Sequence, residues 1–335
     1  MMSEIRFDKA FSALERSVAA GRIPGGVLGW IDLEGRRLTR GAGRAAIVPE
    51  ERQMTIDTWF DLASLTKVIF TTPRILALAE AGEIDLDAPL TSVIPDFRQY
   101  DPNCWERQVT FRQCLGHQTH FPAVEPIYTY GGDPDRLRAF VLQREWRRVE
   151  TPVYSDINFI LLGIALERLS GDTIRDLKPG PGFAFSAEPA KTVATERCTW
   201  RGRVIAGEVH DENCYALQGS GHAGLFGQVD AVLGFARDLL KRDNRDDAAV
   251  RLMREPLSER RTHGWERPYE GWHGGALCSQ ATIGHTGFTG TSLVVDFERG
   301  HAWTLLTNRV HPSRHVDSGI MALRRAVSDF INGAE

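Results

Sequence analysis

No stretch of this sequence approaches the run of about 18 apolar residues that a membrane-spanning helix needs, so no span is expected. Positive charge is not in excess either. The 40 Lys and Arg are offset by 44 Asp and Glu, leaving a formal net charge of −4 and no broad basic field for nucleic acid or anionic lipid. Arginines gather at Arg144 to Arg148 and Arg260 to Arg267, but the acids and aromatics between them read as solvated faces. The five cysteines (Cys104, Cys114, Cys198, Cys214, Cys278) are scattered, odd in number and free of Cys-x-x-Cys pairing. Free thiols in a reducing compartment follow, and with them an expected cytoplasmic location. No apolar core of signal-peptide length opens the sequence, although a chain trimmed of its leader would look the same. Internal repeats are lacking too. What is present, 42% hydrophobic and 25% charged residues in a chain of 335, suffices for a large core in two lobes.

Helical periodicity runs through residues 8–20 and ends at Gly21. Residues 26–33, a turn at Glu34-Gly35 and residues 36–39 form an expected β-hairpin. A second hairpin is expected from residues 291–297 and 301–307 around Glu298-Arg299-Gly300, followed by an amphipathic helix carrying Ile320, Leu323, Val327 and Ile331. The clearest central helices are Ile157 to Leu169, stopped by Ser170-Gly171, and Ala231 to Leu240. Segments 172–192 and 242–262 read as loops. Strands at both ends with helices between predict an α/β (α+β) fold, its antiparallel sheet built from both termini and flanked by helices. Residues 1–75 and 262–335 would make the sheet domain, residues 76–261 an inserted, mainly helical domain, and the site would lie in the cleft between them.

Chemistry enters at Ser64-Leu65-Thr66-Lys67, just after an expected strand. If a helix starts at Ser64, Lys67 lies one turn on, its amine near the hydroxyl, and the free N–H groups of the helix end favour developing negative charge. That suits acyl transfer to serine. Pro73 should kink or end this helix near Thr72. Taken alone, the pair reads as well as an N-cap serine and a solvated lysine. Tyr154-Ser155-Asp156 precedes the Ile157 helix. A lysine nearby would lower the tyrosine's pKa, so a tyrosinate, or a Tyr–Lys pair sharing a proton, could take the Ser64 proton and pass it on. On its own Tyr154 reads as an ordinary buried tyrosine. Gly284-His285-Thr286-Gly287-Phe288-Thr289-Gly290 reads as a glycine-rich turn directly before a strand, where an edge could offer N–H groups to an oxyanion.

In this order the three segments resemble the penicillin-recognising serine hydrolase superfamily, in the branch of class C β-lactamases, D-alanyl-D-alanine carboxypeptidases and family VIII esterases. Residues 76–90 look like the segment after that family's nucleophile helix. Val109 to His117 is similar to its Ile-Thr-Ile-x-x-Leu-Leu-x-His stretch, and Tyr154 to Gly163 and Gly221 to Gly227 match further patterns. The resemblance implies the β-lactamase/transpeptidase-like fold and assigns roles residue by residue. Ser64 would be the acylated nucleophile, Lys67 its proton partner and Tyr154 the shared general base and acid. The backbone N–H groups of Ser64 and Phe288 would form the oxyanion hole, while Ala63 and Phe60 pack beneath the nucleophile. Asp156, His285, Thr286 and Gly287 would meet substrate. Two positions depart from the pattern. Asp156 replaces asparagine, trading a donor for an acceptor-only carboxylate. His285 replaces the lysine of Lys-Thr-Gly, removing a fixed cation from any substrate carboxylate.

These readings predict a serine hydrolase that cleaves an ester or amide of a small molecule or short peptide through an acyl-enzyme, with no cofactor. Carboxylesterase ranks ahead of a D-alanyl-D-alanine carboxypeptidase or muropeptide peptidase, and weak β-lactamase follows. An acyltransferase or a non-catalytic binding protein of the same fold are the rivals. A metal site from His210, Asp211, Glu212 and His222 ranks behind loop hydrogen bonding, for want of His-x-x-x-His spacing. His117 and His120 border the cleft that the family would have, with His120 the one expected to shape it.

Overall fold

A computed structural model describes residues 4–334. Its frame is a six-stranded antiparallel sheet. The strands are β1 (Gly25–Asp32), β2 (Arg37–Ala46), β3 (Arg52–Gln53), β4 (Thr282–Thr286), β5 (Ser292–Asp296) and β6 (His301–Thr307), in spatial order β3-β2-β1-β6-β5-β4. The two ends of the chain meet at its centre, where β1 pairs with β6 from Gly26↔Thr307 to Asp32↔His301. Alternation along β1 serves both faces. Leu28 and Trp30 point to one side, where Phe7, Phe11 and Leu14 of α1 (Glu4–Ala19) join Leu323, Val327 and Ile331 of α7 (Ile320–Asn332). Val27 and Ile31 point to the other, into the core shared with the helices. Gly29 lies between them on that second side. A Cβ there would come within 2.5 Å of Val229, so glycine lets α5 (Val229–Asp243) lie directly on the sheet.

Further helices include α2 (Thr72–Glu80), α3 (Pro134–Gln143), α4 (Asp156–Ser170) and α6 (Ala248–Arg254), beside the single-turn helices Phe111–Leu115 and Glu212–Ala216. Helix α4 is buried from Ile157 to Leu166, is capped by the Ser155 hydroxyl accepting from Ile157 N, and stops at Gly171 with φ 77°. The expected helix–strand pattern at both termini and through α4 and α5 is thus present.

Four local readings are corrected. Helix α1 already begins at Glu4, one turn before the expected start at Asp8. Helix α6 lies inside the expected loop 242–262: Asp247 caps it by accepting from Val250 N, and its seven residues, burying Ala249, Val250 and Met253, are too few to display a period. The helix that follows Ser64 is not a regular α-helix. Leu65 and Thr66 wind as α-helix, Lys67–Thr71 as π-helix, where Thr72 N reaches back to Lys67 O, and α2 continues it with Pro73 in its first turn. Pro73 has no N–H for Ile69, which is why the winding changes there. Lastly, Gly284 and His285 belong to a strand rather than a turn. Edge strand β4 pairs with β5 through His285↔Leu293, and the turn follows it.

Candidate active site

The site is assembled from the end of the Phe60–Asp61 strand. Phe60 is fully buried beneath it, and buried Asp61 accepts from Ala63 N at 2.8 Å and from His210 N at 2.6 Å. Ala63 adopts φ +48°, left-handed for a residue with a side chain, so the backbone turns sharply immediately before Ser64. Thr66 fixes the turn by donating to Ala63 O at 2.6 Å and accepting from Leu225 N at 3.0 Å. Lys67 follows, its side chain wholly buried.

A lysine ammonium has three N–H donors. Here they go to Ser64 Oγ at 2.9 Å, Asp156 Oδ1 at 2.8 Å and the His222 carbonyl at 3.1 Å. Burial pushes the Lys67 pKa down, but the neighbouring Asp156 and Tyr154 more than reverse this, so the amine is held as ammonium. Tyr154 packs over the same group, with Nζ 5.0 Å from its ring centre. Its phenol moves opposite to the sequence expectation. Burial raises the pKa, and the lowering by the Lys67 charge and by hydrogen bonding to Lys67 and Ser64 does not outweigh burial and the Asp156 charge. Tyr154 therefore rests as a neutral phenol, not a tyrosinate.

The turn after β4 docks on the backbone before Ser64. Thr289 Oγ1 donates to Asp61 O at 2.8 Å, Thr291 Oγ1 donates to Leu62 O at 3.0 Å, and buried Arg324 of α7 donates to Gly287 O at 2.9 Å and Thr291 O at 2.7 Å. Among the described residues, neither Ser64 N–H nor Phe288 N–H donates to a protein acceptor, so both are available to an oxyanion. Gly287 permits the docking: a Cβ there would lie 2.5 Å from Leu62 O and 2.1 Å from Thr291 Oγ1. Gly287→Ala is expected to lift the turn, lowering kcat by about a hundredfold to a thousandfold, the range for losing one oxyanion donor. Ester turnover at the wild-type level in that variant would refute this.

His285 is only 1% exposed. Its Nδ1–H donates to Thr286 O at 2.9 Å, leaving Nε2 as an acceptor, and burial pushes its pKa down to about 3. It is a neutral imidazole, 5.9 Å from Tyr154 between ring centres. His117, not His120, also packs against Tyr154, its ring tilted by 37° at 4.3 Å between centres, whereas His120 is turned to Val149 O. Thr286 lines the cleft, a cavity of about 520 Å³ that also includes Ser64, Tyr154, Asp156, Arg261 and Phe288.

The arginine cluster around residue 260 is corrected at one position. Arg261 is turned into the cleft, 5.0 Å over the Tyr154 ring, and pairs with Glu266 at 3.0 Å. Sequence reasoning missed Arg261 and Glu266, and weighed Asp211 and His222 only as a metal site, not as neighbours of Lys67. Only the chain's path brings these residues to Ser64. Asp156, Asp211 and His222 form a compact set of metal-type ligands within 4.8 Å of one another, but the Lys67 ammonium is already bonded to Asp156 there. His222 Nε2–H donates to Asp211 Oδ1 at 2.9 Å and its Nδ1 bonds with Ser220 Oγ at 2.8 Å, while His210 is engaged with Glu196 at 2.9 Å.

Several histidines share the His285 condition. Burial lowers the pKa of His117, His263 and His273, and takes His311 down to about 4. Each is neutral in the fold where the unfolded chain would bind a proton, so its contribution is full above about pH 6.5 and is lost as pH falls toward the folded value. A marked drop in Tm between about pH 7 and pH 4.5 is expected in thermal unfolding. A Tm constant or rising over that range would contradict it.

With this geometry established, comparison with known proteins decides the family. The beta-lactamase family model matches residues 10–327. The chain belongs to the beta-lactamase family. Among curated relatives of this beta-lactamase-family protein is the N-acetylmuramyl-L-alanine amidase of Bacillus subtilis (strain 168), 28% identical, the alignment covering 90% of this chain and 81% of the relative. Another is a putative D-alanyl-D-alanine carboxypeptidase of Escherichia coli (strain K12), 24% identical over 80% of this chain and 73% of that one. The crystal structure of a beta-lactamase from Sulfitobacter sp. EE-36 superposes with a TM-score of 0.74 at 19% identity, covering 98% of each chain. That likeness shows the fold, the β-lactamase/transpeptidase-like arrangement of helices on an antiparallel sheet. The protein is a serine hydrolase of this family, and no helix of the described residues is long and apolar enough to cross a membrane.

Proposed function

We propose that this protein hydrolyses a carboxylic ester or amide through an acyl-enzyme on Ser64, in a cleft between the sheet domain (1–75 and 262–335) and the inserted helical domain (76–261). The observation that carries the proposal is the 2.9 Å contact between Lys67 Nζ and Ser64 Oγ beside two uncommitted backbone N–H groups. Ser64 Oγ attacks the carbonyl carbon, and the N–H groups of Ser64 and Phe288 hold the oxyanion. Lys67 and Tyr154 carry the proton from Ser64 to the leaving group, and water then releases the acyl group. Asp156, His285, Thr286 and Gly287 border the bound substrate, a small molecule or short peptide, and no cofactor takes part.

Neutral His285 supplies no cation for a substrate carboxylate, which favours an ester of an uncharged alcohol as the substrate. A second reading, cleavage of an amide in a cell-wall peptide, is favoured by the names of the two relatives and by the Arg261 guanidinium in the cleft wall. β-Lactam hydrolysis ranks below both. The test is incubation with a fluorophosphonate probe and mass-spectrometric mapping, beside assays with p-nitrophenyl butyrate, a D-alanyl-D-alanine peptide and nitrocefin. An adduct on Ser64 with ester turnover supports the first reading, and an adduct with turnover of the peptide alone supports the second. An active enzyme unmarked at Ser64 would refute the mechanism.

A further inference from the structure

The acylation scheme has no evident base at rest. Tyr154 is a protonated phenol, and Lys67 is an ammonium whose three N–H donors are all engaged. Neither can accept the Ser64 proton until a proton leaves the group. Among the described residues, the one anion in direct contact with Lys67 is Asp156, at 2.8 Å, the residue that departs from the family's asparagine. Asparagine has no charge with which to accept that proton, whereas a carboxylate does.

We propose that Asp156 is the terminal proton acceptor of a Ser64–Lys67–Asp156 relay, an inference that rests on the acyl-enzyme reading above. Lys67 passes one N–H proton to Asp156 Oδ1. The resulting neutral amine, turned about its Cε–Nζ bond, takes the Oγ–H proton as Ser64 Oγ bonds to the substrate carbonyl carbon. At that point Lys67 is an ammonium again, Asp156 a neutral carboxyl, and the negative charge lies on the carbonyl oxygen. When the tetrahedral species collapses, the bond from carbon to the leaving group breaks. The proton on Asp156 then returns through Lys67 as Tyr154 donates its own proton to the leaving atom and is reprotonated by Lys67. Water repeats the sequence in deacylation.

The surroundings of Asp156 fit this task. It sits at the N-terminus of α4 with its side chain 18% exposed, open to the cleft yet within the relay. Among the described residues, four groups face it: the Lys67 ammonium, the Tyr154 phenol from its own segment, and Asp211 and His222 from the segment 211–222. Asp211 is the informative neighbour. Burial raises its pKa, but the charge and hydrogen bond of His222 hold it far below the usual carboxylate range, so it remains an anion. A second fixed negative charge thus lies within 4.8 Å of the Asp156 carboxylate.

The relay is tested by the pH dependence of kcat/KM for p-nitrophenyl butyrate in wild type, Asp156→Asn and Asp156→Glu. With a carboxylate as acceptor, wild-type activity should be level across neutral pH and fall only on the acid side. In Asp156→Asn the base must be Lys67 itself, so activity should drop about a hundredfold near pH 7 and climb with pH where the wild type is level. Asp156→Glu should retain the wild-type shape at reduced rate. Two results would overturn the relay: an Asp156→Asn profile matching the wild type, or a uniform loss in that variant without change of shape, which marks a merely structural residue. Fluorophosphonate labelling of the wild type separates the two levels. With Ser64 unmarked the acyl-enzyme reading fails and takes the relay with it, whereas Ser64 marked and profiles superimposed means that the relay alone fails.

Discussion

Ser64→Ala should remove turnover of every substrate that the protein accepts, by at least about ten-thousandfold, together with all fluorophosphonate labelling. The hydroxyl is the only group on the Lys67 ammonium able to form a covalent acyl intermediate. Asp156 is ion-paired, and the third partner is a backbone carbonyl. What survives in the variant is the oxyanion pocket, and such pockets retain only a small residual rate once the nucleophile is gone. The substitution should leave stability nearly unchanged, since Ser64 borders the open cleft. Measured together, kcat/KM and the urea midpoint separate loss of chemistry from loss of fold. Substantial turnover in Ser64→Ala would move the nucleophile elsewhere.

Lys67→Met should have a different signature, damaging the fold and the chemistry at once. The ammonium is completely buried and ion-paired with Asp156. Removing it strands a carboxylate beside the Asp211 anion, and breaking a buried pair from one side costs about 3 kcal/mol or more. Turnover should also fall at least about a hundredfold, since the proton has no carrier. The double variant Lys67→Met/Asp156→Asn removes the stranded charge along with the amine. It should recover most of the stability and none of the activity. Urea denaturation of the three proteins reads the first effect and ester hydrolysis the second. A single variant as stable as wild type would show that the pair carries no net energy. An active double variant would show that Lys67 is not a proton carrier.

How much of this could be read from the chain depends on sequence separation. Ser64 and Lys67 lie three residues apart and are connected by one turn, so their contact was legible, although the helix that they open winds as a π-helix from Lys67 to Thr71. The hairpins and the α4 stop at Gly171 were legible because local backbone chemistry dictates them. Lys67 and Asp156 stand 89 residues apart, and Lys67 and the His222 carbonyl 155. A backbone carbonyl carries no sequence signature at all. Arg261 is misread when its composition is weighed without its direction: flanked by charge it looks solvated, yet its guanidinium pairs with Glu266 against Tyr154. The resting charge of Tyr154 is misjudged for a related reason. Lysine beside a phenol lowers its pKa, but the sequence does not disclose how deeply the pair is enclosed or that Asp156 opposes the lysine.

The central pairing of β1 with β6 has a consequence for biosynthesis. As the ribosome emits the chain, the first hairpin emerges with the Val27 and Leu28 edge of β1 unpartnered, and its complement, residues 301–307, follows only after the whole intervening chain. Helix α1 must likewise wait for α7 to cover Phe7, Phe11 and Leu14. Until those segments emerge the nascent protein thus carries an apolar strand edge and an unsealed helix, the surfaces that recruit chaperones or seed aggregation. A ribosome that stalls before residue 301 leaves a chain with its nucleophile but without its central strand pair, and such a product is fit for proteolysis rather than for partial function.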